Sequence, residues 1–147
     1  VDLADSGSAI RIHMSIGQRL PMYIAALGRC MAAYSGLSTV ELRRKLSELR
    51  WEDGPSFETY MREVEGVRKN GYAVDQGNFV KGVVTISSPI LDFNHHPVMA
   101  VSAAGFSTQF SQSSLLALCE DLRERCKEAT VALSGGVGAC SQPRHLV

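Results

Sequence analysis

The sequence predicts an α+β domain in which a central antiparallel sheet carries flanking helices. Three observations carry that expectation. Residues 71–105 contain three short apolar, β-branched runs, at 72–74, 83–90 and 98–103, divided by polar or Gly-containing connections, as strands joined by turns are. The link Asp92-Phe93-Asn94-His95-His96-Pro97 between the last two runs has hairpin length or slightly more. Helical periodicity lies on both sides of the stretch.

Each run is better read as a strand than as part of one buried helix. Gly77, Gly82, Pro89 and Pro97 interrupt the stretch, and a helix interior tolerates neither repeated Gly nor Pro. Pro97 suits the start of a strand, where its missing N–H costs little. Earlier in the chain, Ile10, Ile12 and Met14 alternate with Arg11 and His13, a period of two that predicts a strand with one buried face. His13 falls on its polar face, so it is expected to be a solvated side chain rather than a ligand. Opening in mid-strand, the chain is expected to be a piece of something longer.

The helices follow from their own signals. Over residues 17–34 a turn with Pro21 leads into an Ala-rich segment, and Pro near a helix start is tolerated because one orphan N–H is lost there anyway. Ala25, Ala26 and Gly28 let another backbone, or a ligand, approach the first turns, and the amides there can receive a carboxylate. Close packing of this helix on the sheet is the commoner use of such residues. Residues 38–49 form a second helix opened by a Ser38…Glu41 capping box, with Leu42, Leu46 and Leu49 as its buried stripe. Its Arg43-Arg44-Lys45 run is expected to face solvent. A third helix runs from Ser56 as N-cap to Asn70, with Tyr60, Val64 and Val67 at helical spacing and Gly71 ending it. The longest covers 111–133, with Leu115, Leu118, Leu122, Cys126, Ala129 and Leu133 on one stripe between charged flanks. The Gly-rich end of the chain is expected to be a flexible tail.

Composition narrows the function. At 147 residues the chain is one domain by size, able to bury roughly 68–70% of its unfolded surface without a metal or disulfide. Fifteen basic and fifteen acidic side chains cancel, so the electrostatic footprint of a nucleic-acid binder is missing. Cys30, Cys119, Cys126 and Cys140 show no C-x-x-C pairing and read as reduced, buried thiols of a cytoplasmic protein. Cys119 and Cys126 share a helix face but lie about 10 Å apart along it, too far for a bridge. No apolar run is long enough to cross a membrane.

Catalytic and metal signatures are lacking too. There is no G-x-S-x-G elbow, H-E-x-x-H or P-loop. His95 and His96 beside Asp92 could suggest a metal, but neighbours in a turn project in different directions and no further ligand is evident, so a solvated hairpin tip is expected. No catalytic residue, cofactor or metal is expected.

Five segments in register resemble a family: Gly17-Gln18-Arg19-Leu20-Pro21-Met22; Ala26-Leu27-Gly28-Arg29; Arg68-Lys69-Asn70-Gly71-Tyr72-Ala73-Val74-Asp75; Gly82-Val83 through Pro89-Ile90-Leu91-Asp92; and Ala100-Val101-Ser102-Ala103-Ala104-Gly105. In order and spacing, over residues 9–134, they resemble the effector-binding domain of IclR-type bacterial transcription regulators. The resemblance implies a GAF-like domain over residues 1–134, truncated at its N-terminal side, followed by a tail at 135–147. It also implies a pocket for a small organic effector, assembly as homodimers or tetramers, and operator DNA contacted only through a winged helix-turn-helix domain that precedes this one and is not in the sequence.

Carried over by position, the effector site would use Ile12 of the early strand, Leu20, Ala26 and Leu27 around the first helix start, Asp75, Val83 and Thr85 on the first two central strands, and Ser102 with Ala104 on the third. The residues themselves agree in part, since Val83 with Thr85, and Ser102 with Ala104, each share a strand face. Hydroxyls on apolar strands need partners if buried, and a ligand carboxylate or carbonyl is one candidate. The sequence departs from the family at Gln76, Gly77 and Asn78, where further acids are frequent, at Thr85, where cysteine is common, at Ala104, where serine is, and at Ala104-Gly105-Phe106, where Ser-Gly-Pro is. A less polar site favours an acid-type effector with an apolar or aromatic portion. For Asp75 two roles stand open: accepting loop amides, or taking a hydroxyl or protonated group of the effector. The alternatives for the whole chain are an oligomerisation module with no functional ligand, or a small cytosolic enzyme.

Overall fold

The computed structural model describes Ile12 and residues 15–135. The elements run α1 (Ala25–Ala33), α2 (Thr39–Ser47), α3 (Phe57–Asn70), β1 (Ala73–Gln76), β2 (Val83–Leu91), β3 (Pro97–Phe106), a short 3-10 turn (Ser107–Gln109) and α4 (Gln112–Gly135). The three strands form an antiparallel sheet in the order β1-β2-β3. β2 and β3 are the expected hairpin, its tip held by Asp92, whose Oδ1 accepts the Asn94 and His96 amides at 2.8 Å each. The register slips between Ile90 and Leu91, so that Pro97 sits opposite Leu91.

Helices cover both faces of this sheet, the α+β architecture expected. On one face α1 lies across the strands with α3 behind it. There Ala26, Cys30 and Ala33 pack with Tyr60, Val64, Val67 and Ala73 into one core. On the other face α4 lies along β2, and Val84, Ile86 and Cys119 form a second core with Leu115, Leu118 and Leu122 against it. Alternation along β2 sorts the side chains: Val84 and Ile86 turn to α4, Thr85 and Ser87 to α1.

Local signals set the helix boundaries. Ser38 Oγ accepts the Glu41 amide while Glu41 Oε2 accepts the Ser38 amide at 2.9 Å, the reciprocal box that starts α2. Ser56 Oγ accepts the Thr59 amide at the start of α3, and Gly71 closes that helix at φ 78°, in the left-handed region that suits glycine.

Pro21 lies in a turn that leads into α1, as expected, its carbonyl accepting the Ile24 amide. Two expectations change. β1 begins one residue later and runs two further than its apolar run, and β3 runs on to Phe106, because pairing and not hydrophobicity ends a strand. Leu133, placed on the buried stripe of α4, is 43% exposed, since the sheet beneath stops before the helix does. Of the early strand expected around Ile10–Met14 only Ile12 is described, in non-regular structure; its neighbours, His13 among them, and the Gly-rich tail with Cys140 lie outside the described residues.

Candidate functional site

The candidate site is built on the entry into α1. The Ile24 carbonyl accepts the Gly28 amide at 2.8 Å, and the Tyr23 carbonyl accepts the Tyr60 hydroxyl at 2.9 Å. Gly28 passes so close to Tyr23 that a Cβ built there would lie 2.0 Å from the Tyr23 carbonyl carbon, so only glycine fits. Ala25 sits at φ 55°, uncommon for a residue with a side chain. No side chain caps this helix start. The Ala26 amide is delivered to the sheet, where it donates to Thr85 Oγ1 at 3.4 Å.

Beneath that helix start the register lays out a row. Asp75 pairs with Thr85 and Thr85 with Ala104, so these three stand side by side on the α1 face. Ser102 stands in the adjacent row opposite Ser87, and the two hydroxyls are 2.7 Å apart. Val83 shares the face, one step toward the other end of β2. Five predicted positions on three strands are thus gathered with Ala26. Leu27 on α1, Leu20 ahead of it and Ile12 are half-buried. The row is buried at Asp75, half-buried at Thr85 and exposed at Ser102 and Ala104, so it opens toward β3.

Asp75 is engaged by the protein itself. Its Oδ1 accepts the Asn78 amide at 2.8 Å and its Oδ2 the Phe79 amide at 3.3 Å, which folds the β1–β2 loop back over the strand end. These are the loop amides anticipated as one of its two roles.

Behind it lies Arg29, whose importance sequence reasoning missed. It is fully buried; Nε donates to Glu63 Oε2 at 2.7 Å and Nη2 to Asn78 Oδ1 at 2.8 Å. Nη1 faces Asp75 Oδ2 at 3.7 Å, close enough for charge attraction and too long for a hydrogen bond. The Trp51 and Tyr60 rings flank the guanidinium at 5.9 and 5.4 Å. Asn78 continues the chain of contacts, donating from Nδ2 to the Asp53 carbonyl at 2.9 Å. One signal was available: an arginine inside AALGRCMAA, an otherwise small and apolar helix, has to find buried partners. Ser87, also overlooked, lies two residues beyond Thr85 and so on its face.

Cys30 completes the floor, its thiol donating to the Ser87 carbonyl at 3.3 Å. Burial pushes that thiol up to about 12, so it stays protonated and unreactive at neutral pH. A cleft of about 450 Å³ on the α4 side of the sheet, bordered by Val84, Phe110 and Leu115, takes in Val83 alone of the predicted residues. Among the described residues no group of three or more His, Cys, Asp or Glu side chains could hold a metal, and no helix is long and apolar enough to cross a membrane.

Helices on both faces of a short antiparallel sheet, with hydroxyls and a carboxylate on the face beneath a helix start, define an α+β domain. A family model described as the bacterial transcriptional regulator IclR C-terminal domain matches residues 1–130. The chain belongs to that family.

Among curated proteins it is similar to the HTH-type transcriptional regulator KipR of Bacillus subtilis, 24% identical over 141 residues, covering 94% of this chain and 55% of KipR. It is also similar to the HTH-type transcriptional repressor AllR of Escherichia coli K12, 26% identical over 129 residues, covering 86% of this chain and 48% of AllR. Among solved structures it resembles an IclR-type transcriptional regulator from Alicyclobacillus acidocaldarius, with TM-score 0.72 and 27% identity over 86% of this chain and 51% of that one. The Thermotoga maritima IclR structure matches with TM-score 0.72 and 25% identity, over 88% and 54% of the two chains. The chain spans about half the length of the curated relatives it matches. Those relatives are named as transcriptional regulators and not as enzymes, in keeping with the lack of catalytic motifs.

Proposed function

We propose that this chain is the small-molecule-sensing and oligomerisation domain of a cytoplasmic, DNA-binding transcription regulator. In this reading residues 1–134 form the effector domain and 135–147 a tail, and operator DNA is bound through a separate winged helix-turn-helix domain. The effector is a small organic acid with an apolar or aromatic part.

The observation that carries the reading is the convergence of Ala26, Thr85, Ser102 and Ala104 on one sheet face beneath an uncapped helix start. Their polar groups are an amide and two hydroxyls, suited to a carboxylate. Asp75 does not oppose an anion there as a free carboxylate would, because two amides and the Arg29 charge already answer it. In this reading the half-buried Ile12, Leu20, Leu27 and Val83 would supply the apolar surface. For the domain to act as a switch, the effector has to bind one arrangement of the assembled protein more tightly than another.

Thermal melting across a panel of carboxylic acids tests this. A ligand specific for the folded chain stabilises it by about 2.7 kcal/mol at a hundred times its Kd, and the midpoint rises accordingly. For an acid that binds, Ser102→Ala should weaken binding by roughly 1–3 kcal/mol in calorimetry. If no acid raises the midpoint, the oligomerisation module without a functional ligand becomes the better reading. One observation already favours that second reading: the Ser102 hydroxyl has a partner in Ser87 without any ligand.

A further inference from the structure

On the side of the molecule away from this row, α3, α4, the end of α1 and the far end of β2 meet around a cleft of about 430 Å³. Four cations line it, Arg68 and Lys69 from the last turn of α3 and Arg123 and Lys127 from α4, against a single carboxylate, Glu124. We propose that this cleft is a second binding site, for a small polyanion carrying phosphate groups.

Ordinary structural duties account for only part of the cluster. Arg68 donates from Nε to the Ala33 carbonyl at 2.9 Å, tying α3 to the end of α1, and from Nη1 to Glu65 at 2.9 Å. Cations in the last turn of a helix also answer its unpaired carbonyls. Arg123 and Lys127 come from another helix, so that explanation does not reach them. Arg123 is held in place, its stem packed where a Cβ on Gly71 would lie 3.0 Å from Cγ, while Nε and Nη2 both donate to Glu124 Oε1. Among the described residues neither Lys69 nor Lys127 has a carboxylate partner.

With Arg68 paired to Glu65 and Arg123 to Glu124, Lys69 and Lys127 leave two unanswered positive charges on the cleft, and a cleft with such an excess of one sign focuses the field on an entering anion. Tyr34 borders the same cleft. Burial raises its pKa, with Cys30 adding and Arg68 opposing, so it remains a proton donor through neutral and mildly alkaline pH. Arginine forks, mobile ammonium groups and a phenol together suit tetrahedral phosphate better than a single planar carboxylate. The nearest residue of this cleft along β2, Ser88, is three residues from Thr85, about 10 Å at strand rise, and none of the proposed effector residues lines the cleft.

Calorimetry of the 147-residue chain with inorganic pyrophosphate tests the site. Saturable binding is expected, weakening as salt is raised. Lys69→Gln with Lys127→Gln should reduce affinity by about tenfold or more, the loss expected when charged hydrogen bonds are removed. Lys69→Arg with Lys127→Arg should retain it. Both lysines are exposed, so circular dichroism of every variant should match the parent. Ser102→Ala should leave pyrophosphate binding unchanged, which separates this site from the proposed effector row. The proposal is overturned by no saturable binding at millimolar pyrophosphate, or by binding that survives the double Gln substitution. An acidic protein segment as the true occupant would give the first of these outcomes.

Discussion

Arg29 shows how much one side chain can decide. Removing one partner from a buried charge pair typically costs about 3–5 kcal/mol, because the other charge is left without compensation. Arg29→Met should therefore lower the urea-unfolding free energy by about that amount. Arg29→Lys should not restore it, since a single ammonium cannot serve Glu63, Asn78 and Asp75 from three directions. Asp75→Asn should cost about 1–3 kcal/mol through its two loop amides, and should leave the affinity for a bound acid unchanged if the carboxylate serves only the loop. The double variant should cost less than the sum of the two, as contacting partners do.

Cys30 supports a prediction about pH. Its folded-state pKa is raised by burial from 9.0 to about 12, so the folded chain holds the thiol proton more tightly than the unfolded chain. That contribution is complete below about pH 9 and is lost as pH climbs toward 12, at about 1.4 kcal/mol per unit. Denaturation monitored from pH 8 to 11 should show a flatter alkaline limb in Cys30→Ala than in the parent, although the variant is less stable at neutral pH.

Among the elements, α1 depends most on a single position. Gly28→Ala would gain up to about 1 kcal/mol of helix propensity, but its Cβ would overlap the Tyr23 carbonyl carbon at 2.0 Å. Backbone overlap of that kind cannot be relieved by a rotamer change, so net destabilisation of about 1–3 kcal/mol or more is expected in thermal unfolding. The Ala26 to Thr85 contact should be lost with it. Ser38→Ala, which removes the hydroxyl's bonds with the Glu41 amide and carboxylate but leaves the Ser38 amide on Glu41 Oε2, should cost about 1 kcal/mol at that exposed helix start.

The elements with local signals were legible in the sequence. Ser38, Ser56 and Gly71 mark helix ends through hydrogen bonds that span four residues or fewer, and the β2–β3 hairpin is marked by its own turn. What could not be read depends on distant partners. The true end of β3 is set by pairing with Val83 and Val84, and the exposure of Leu133 by where the sheet beneath α4 stops. The roles of Arg29 and Ser87 belong with these, because their partners lie between 15 and 49 residues away.

For the whole molecule, the equal numbers of acidic and basic groups have a direct consequence. With a formal net charge of zero at pH 7 there is no long-range repulsion between copies, while Met22, Phe93, Met99 and Val131 remain more than half exposed. Solubility measured by precipitation should pass through a minimum near neutrality and rise on either side. The sheet-and-helix plan was legible at this scale because periodicity is repeated over many residues. The candidate row was legible only as positions on strand faces; its openness toward β3 and the closure of Asp75 by its own loop depend on register and loop path.

The Ser87 and Ser102 oxygens share one short contact in which either can be the donor. Rotating two hydroxyl hydrogens reverses the polarity that Ser102 presents outward, with no heavy atom displaced. A visitor offering a lone pair and one offering a hydrogen would therefore meet the same contour at almost equal cost. In the proposed effector site, selectivity at that spot would then come from the size and outline of the visitor, and chemically different compounds of matching shape would be expected to compete for it.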